Sequence, residues 1–187
     1  MTKVKQKIIT LGEIMLRLKS PGYERLFQFG TLESTFAGGE ANVAVSLANY
    51  GEDVSFVTTL PKNALGDACI NYLRAFGVDT SKIVRSGERM GIYFLETGAN
   101  QRPSVVIYDR SNSSIADASL DQFDWDMIFF DANWFHITGI TPAISQKAAD
   151  IALSAVQNAK QKGLTISCDY NYRKNLWKYG KKSVDVM

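Results

Sequence analysis

The chain has 187 residues, 45% of them hydrophobic and 21% charged, which suits an ordinary globular protein with a genuine core. Lys plus Arg number 21 against 19 Asp plus Glu, so the net charge of +2 supplies no field that would demand nucleic acid or an anionic membrane as partner. The N-terminus MTKVKQKIITLGE lacks the apolar stretch and cleavage site of a secretory signal, and no apolar run approaches the roughly 20 residues that cross a bilayer. The expected compartment is the cytoplasm, where Cys69 and Cys168, far apart in apolar surroundings, read as two buried free thiols.

Strand and helix alternate along the chain, the pattern of an α/β fold with a largely parallel sheet. Residues 7–11 (KIITL) read as a short buried strand ended by Gly12, and 14–36 carry short alternating segments with no helix signal. Residues 39–50 read as a helix closed by Gly51, with Val43, Leu47 and Tyr50 along one face. A strand is expected at 54–60. The helix at 64–76 has Asn63 as N-cap and Gly77 as stop, with its period set by Leu65, Ala68, Cys69, Tyr72, Leu73 and Phe76. The β-rich runs 91–97 and 104–110, joined by 98–103, read as a hairpin. The clearest helix is capped by Thr141, opened by Pro142 and ended by Gly163. Its buried stripe runs through Ile144, Ala148, Ile151, Ala152, Ala155, Val156 and Ala159. A buried strand at 164–169 follows, with only 170–187 left to cover it. The expected organisation is an incomplete α/β core from 1–13, 37–90 and 111–187, with a β lid from 14–36 and 91–110. The chain is therefore expected to be a truncated or partial one.

Three polar clusters invite a chemical reading. In AGGEAN (37–42), Gly38 and Gly39 at a helix start let backbone N–H groups approach a ligand with no Cβ in the way, and Asn42 offers an amide to a hydroxyl. The same pattern describes a turn whose second glycine packs against a neighbouring strand. No GxxxxGK[ST] occurs and no GxGxxG follows the first strand, so a nucleotide loop is not indicated. In SVVIYDR (104–110), Val106, Tyr108 and Arg110 share one face by strand alternation; with Tyr93 opposite, two phenols and a guanidinium would face one space. A guanidinium forks around a carboxylate and each phenol adds a directional bond, which suits an acidic sugar; the alternative is a solvated ribbon. In CDYNYRKNLW (168–177), Asp169 ends a strand where open α/β sheets hold ligands, with Asn171, Arg173 and Lys174 next. The mixed basic and aromatic residues there resemble a single-strand nucleic-acid surface, but one such segment in a nearly neutral chain is too little to support it. His136, the sole histidine, has no second histidine or carboxylate cluster in its sequence neighbourhood, so no metal site is expected and a core or rim position is.

LGEIMLR (11–17), AGGEAN (37–42), LGD (65–67) and DYNYR (169–173), in this order, resemble the ribokinase-like (phosphofructokinase-B) carbohydrate kinases over essentially the whole chain. The GE start, YDR after the hairpin, FHITGI, and NYR followed by LW resemble the branch that phosphorylates 2-keto-3-deoxygluconate. The resemblance implies a ribokinase-like, mostly parallel sheet flanked by helices, a small β lid, a sugar acid as substrate, and ATP with Mg2+ for the complete enzyme. It implies that Gly38, Gly39, Glu40, Ala41 and Asn42 hold the sugar, and that Tyr93, Tyr108, Asp109 and Arg110 close on it. Asn171, Tyr172 and Arg173 would lie toward the ATP phosphates. Arg17 stands where many members carry a sugar-holding aspartate, a departure that fits an anionic substrate. The family's Gly-Ala-Gly-Asp motif, which supplies anion hole and base, matches nothing in the chain. No catalytic residue is therefore expected here, the nucleotide-binding portion is expected beyond Met187, and turnover by the chain alone is expected to be negligible. The alternatives are a fructokinase-like kinase of a neutral sugar, or a non-catalytic sugar-acid-binding fragment that forms homo-oligomers through its lid.

Overall fold

Successive side chains of the first strand enter different cores, Ile9 and Leu11 one and Ile8 the other, as a strand buried on both faces of a parallel sheet must. The computed structural model describes residues 6–187. Its strands are β1 (Lys7–Leu11), β2 (Met15–Lys19), β3 (Glu33–Ala37), β4 (Asp53–Val57), β5 (Thr59–Leu60), β6 (Val84–Arg85), β7 (Ile92–Glu96), β8 (Val105–Asp109), β9 (Trp134–Thr138) and β10 (Thr165–Asp169). Its helices are α1 (Gly39–Asn49), α2 (Ala64–Ala75), α3 (Ser114–Asp117), α4 (Trp125–Ile128), α5 (Thr141–Ile144), α6 (Gln146–Gln161) and α7 (Ser183–Val186). The main sheet runs β10-β9-β1-β4 and every neighbouring pair is parallel.

Helices cover both faces of this sheet. On one, α6 lays Ile151, Ala152, Ala155 and Ala159 against Ile9, Leu11, Phe135 and Ile137. On the other, α1 and α2 bring Ala41, Ala44, Cys69 and Leu73 against Ile8, Val54 and Phe56. The stripe expected on α1 is displaced. Its buried residues are Glu40, Ala41 and Ala44, while Tyr50 is 80% exposed, because the small alanines let the helix lie close to the sheet and turn its bulkier face outward. In α2 the Asn63 side chain accepts the N–H groups of Leu65 and Gly66 at 3.1 Å, as a cap should, but Leu65 and Phe76 remain partly exposed.

Four further expectations are corrected. The long helix breaks at Ser145, whose φ of −160° and ψ of 167° end α5; its hydroxyl then caps α6 by accepting the Ala148 N–H at 3.0 Å. Thr141 does not cap, since its hydroxyl donates to Glu40 at 2.8 Å. The strand expected at 54–60 is divided, with β4 in the main sheet and β5 paired instead with β6. Finally, β10 is an edge strand, so its side chains are half-buried or exposed and Cys168 lies in solvent. The reading of two buried thiols holds for Cys69 alone, where burial pushes the thiol up to about 12.

A second sheet, ordered β3-β2-β7-β8, is built from the two stretches that broke the helix–strand rhythm. Its centre is a parallel pair, β2 with β7, flanked by antiparallel β3 and β8. The chain enters it after Glu13, leaves at Gly38, re-enters at Gly91 and leaves after Arg110. Among the described residues no helix is long and apolar enough to cross a membrane.

Candidate functional site

Register in the second sheet brings the polar residues of three strands into one row. Arg17 of β2 sits beside Tyr93 of β7, and Tyr93 beside Tyr108 of β8, so all three project from the same face. The two phenol rings are 5.7 Å apart between centroids, tilted by 39°. Burial, ahead of all other influences, pushes the Tyr93 phenol up, while Arg17 hydrogen-bonds it and pulls the other way. The Nε of Arg17 is buried with no hydrogen-bond partner. Two residues past Tyr108 on the same face, Arg110 holds its guanidinium carbon 5.7 Å from the Tyr108 ring centroid. Its terminal nitrogen pairs with the carboxylate of Glu13, which also accepts the Ser113 hydroxyl at 2.6 Å.

Beneath this face lies a cleft of about 900 Å³, lined among others by Tyr108, Arg110, Asn112, Asp117, Arg173 and Lys174. The structure thus brings Tyr108 and Arg110 of the hairpin to one space with Arg173, while Tyr93 and Arg17, in the same row, do not line it. Asn171 lies next to that space in a turn, its backbone N–H bonded to the Asp169 carboxylate at 3.0 Å and its φ at +39°, a conformation asparagine tolerates. Tyr172 is exposed beside it and does not line the cleft.

Other residues expected at the site are engaged within the chain. Glu40 is 1% exposed, and its Oε1 accepts from the Thr138 N–H at 3.1 Å, the Thr138 hydroxyl at 2.9 Å and the Thr141 hydroxyl at 2.8 Å. It ties α1 to the end of β9 and has no face for a ligand. Burial pushes its carboxyl above the ordinary value, against the lowering effect of those hydrogen bonds. Ala41 is core. Asp109 points to the opposite face from Tyr108 and is gripped by Arg89 at 3.0 and 2.9 Å. Of the AGGEAN turn, Gly38 is pressed on the backbone of Glu13, Gly39 lies beside Thr138, and Asn42 is exposed on the first turn of α1. None of the three lines the cleft directly.

His136 is half-buried on β9, with Nδ1 2.8 Å from the Ser167 hydroxyl and its pKa lowered by burial. Among the described residues no group of three or more His, Cys, Asp and Glu side chains gathers as a metal site. The residue that sequence reasoning missed is Glu13. It was legible only as part of a resemblance, and nothing local signals a partner 97 positions away.

The geometry can be set beside known proteins. The family model described as pfkB family carbohydrate kinase matches residues 5–185. The 2-dehydro-3-deoxygalactonokinase of Haloferax volcanii is 36% identical over 171 residues, which is 91% of this chain and 54% of that protein. The 2-dehydro-3-deoxygluconokinase of Bacillus subtilis is 30% identical over 175 residues, 93% of this chain and 54% of that one. Among solved structures, the 2-dehydro-3-deoxygluconokinase of Thermotoga maritima superposes with a TM-score of 0.90 at 52% identity, covering 92% of this chain and 53% of its own. The chain thus spans about half the length of the relatives it matches. With the family model running almost from end to end, the chain belongs to the pfkB family of carbohydrate kinases.

Proposed function

We propose that the chain carries the sugar-acid-binding half of an ATP-dependent kinase of 2-keto-3-deoxygluconate. The observation that carries this reading is the row of Arg17, Tyr93 and Tyr108 with Arg110 beside it on one face of the second sheet. Two guanidinia bring positive charge and forked N–H groups that form stronger, charge-assisted bonds with a carboxylate than with a neutral hydroxyl, and the two phenols add directional donors. In this reading the second sheet is the lid, Gly38, Gly39 and Asn42 meet the sugar hydroxyls, and Asn171, Tyr172 and Arg173 lie toward the ATP phosphates. The names of the Haloferax, Bacillus and Thermotoga relatives support a keto-deoxy sugar acid as substrate class. Mg2+ would arrive with the nucleotide, since the described residues gather no carboxylate set to hold it.

The test is a thermal melt of this chain with 2-keto-3-deoxygluconate, its galactonate epimer and fructose. A ligand at about 100 times its Kd stabilises by about 2.7 kcal/mol. A rise with either sugar acid and none with fructose is the expected result, and the larger rise identifies the epimer. An equal or greater rise with fructose would overturn the acid assignment. Since nothing in the chain matches the family's Gly-Ala-Gly-Asp motif, an ADP-release assay is expected to show negligible turnover. Steady turnover proportional to the chain would show that a base and anion hole lie within these residues after all.

A further inference from the structure

All four crossings between the main sheet and the second sheet meet at one residue. Glu13, itself the first crossing, is 4% exposed. Its carbonyl oxygen lies within contact of the spot where Gly38, the second crossing, would carry a Cβ. Its Oε1 is 2.8 Å from the corresponding spot on Gly91, the third, and accepts the Ser113 hydroxyl at 2.6 Å. Its Oε2 pairs with Nη2 of Arg110, the fourth. A side chain at Gly91 would thus push this carboxylate away from the guanidinium, and one at Gly38 would displace the backbone that carries it.

A buried ion pair is a poor device for stability alone, because desolvating both charges offsets most of their attraction and a packed apolar pair would hold the crossings as well. What it adds is direction. With Nη2 fixed by Glu13 and the guanidinium carbon 5.7 Å from the Tyr108 ring centroid, Arg110 is confined to one orientation. Its Nε is buried and unpartnered. The uncommitted N–H groups, those on Nη1 among them, remain for a ligand on the face shared with Tyr108.

We propose that Glu13 is a positioning residue: it sets the Arg110 guanidinium for the carboxylate of the sugar acid and locks that setting to the hinge of the second sheet. The proposal rests on the reading above that Arg110 meets the acid. The experiment is a double-mutant cycle on this chain with E13Q, R110M and the pair, titrated calorimetrically with 2-keto-3-deoxygluconate. Nitrogen-15 arginine spectra of the parent and E13Q accompany it. E13Q is expected to weaken the acid roughly tenfold, since a charge-assisted bond is lost while an acceptor remains. In the R110M background the same change should have no further effect. The Nη signals of Arg110, resolved in the parent by hindered rotation, should merge in E13Q. A change of less than about twofold in E13Q, or one that persists undiminished in R110M, would overturn the proposal. If R110M binds like the parent, the role given to Arg110 falls first and this proposal with it. Should E13Q fold poorly, E13D keeps the charge but withdraws it from the guanidinium, and the same outcomes apply.

Discussion

Gly38→Ala is expected to destabilise the chain by about 3 kcal/mol or more, measured by urea unfolding. The backbone at Gly38 is extended, with φ at −166°, a conformation any residue adopts, so conformational strain is not the reason. Space is the reason. A Cβ there would fall on the carbonyl oxygen of Glu13 and lie 3.0 Å from both the Glu13 carbonyl carbon and the Ile14 Cα. These are backbone atoms, and no side-chain rotation relieves the overlap. Nor can that backbone shift freely, since Glu13 carries the ion pair and hydroxyl bond of the hinge. Gly39→Ala is the control. Its Cβ would meet nothing nearer than Thr138 Cγ2 at 3.7 Å, and alanine is the better helix former, so a change within about 1 kcal/mol of the parent is expected. Equal losses at the two glycines would show that the turn as a whole, rather than the contact with Glu13, is what matters.

Glu40→Ala is the second large effect, expected at about 3–5 kcal/mol. The substitution strands a backbone N–H and two hydroxyls of Thr138 and Thr141 that now converge on one oxygen. Glu40→Gln keeps that acceptor and should cost less. It also separates packing from charge. Burial raises the Glu40 carboxyl above its ordinary 4.5, so between that value and the folded one the native state holds a proton that the unfolded chain has released. Stability from this group is therefore complete below the ordinary value and declines as pH rises through the window toward the raised one. The parent should lose ground to Glu40→Gln, which does not titrate, over that same range in paired thermal melts. A difference that stays flat or shifts the other way would mean that the three hydrogen bonds outweigh desolvation.

Much of the architecture was legible because local chemistry and tertiary packing agree. Asn63 and Gly77 bracket α2 as expected, the alternation of β7 and β8 puts Tyr93 opposite Tyr108, and β1 reads correctly from five apolar-rich residues. The failures fall where a residue has two plausible uses. Thr141 is a good cap by type, yet a buried carboxylate from another helix claims its hydroxyl and Ser145 takes over. Glu40 and Ala41 follow two glycines at the start of α1, and helical geometry turns them inward to the core. Asp109 follows Tyr108 directly, and strand alternation sends it to the other face, where Arg89 waits. The period-2 rule that placed Tyr108 and Arg110 together also excludes Asp109 from their company. What no pattern of nearby residues could reveal is the partnership of Glu13 with Arg110, which arises only when β2, β7 and β8 pair and bring the start of one strand beside the end of another.

The parallel join at the centre of the second sheet has a consequence for the order of assembly. Each of its outer pairs, β2 with β3 and β7 with β8, is a two-stranded ribbon that is marginal in water by itself. A parallel partner cannot be reached through a tight turn, so β2 and β7 meet only after α1, β4 and α2, which lie between them in the chain, have been led around. The row of Arg17, Tyr93 and Tyr108 is therefore expected to form late, after other contacts have closed the intervening loop. By the same reasoning its two ribbons are expected to separate while the main sheet stays folded, which amide hydrogen exchange along β2 and β7 would show.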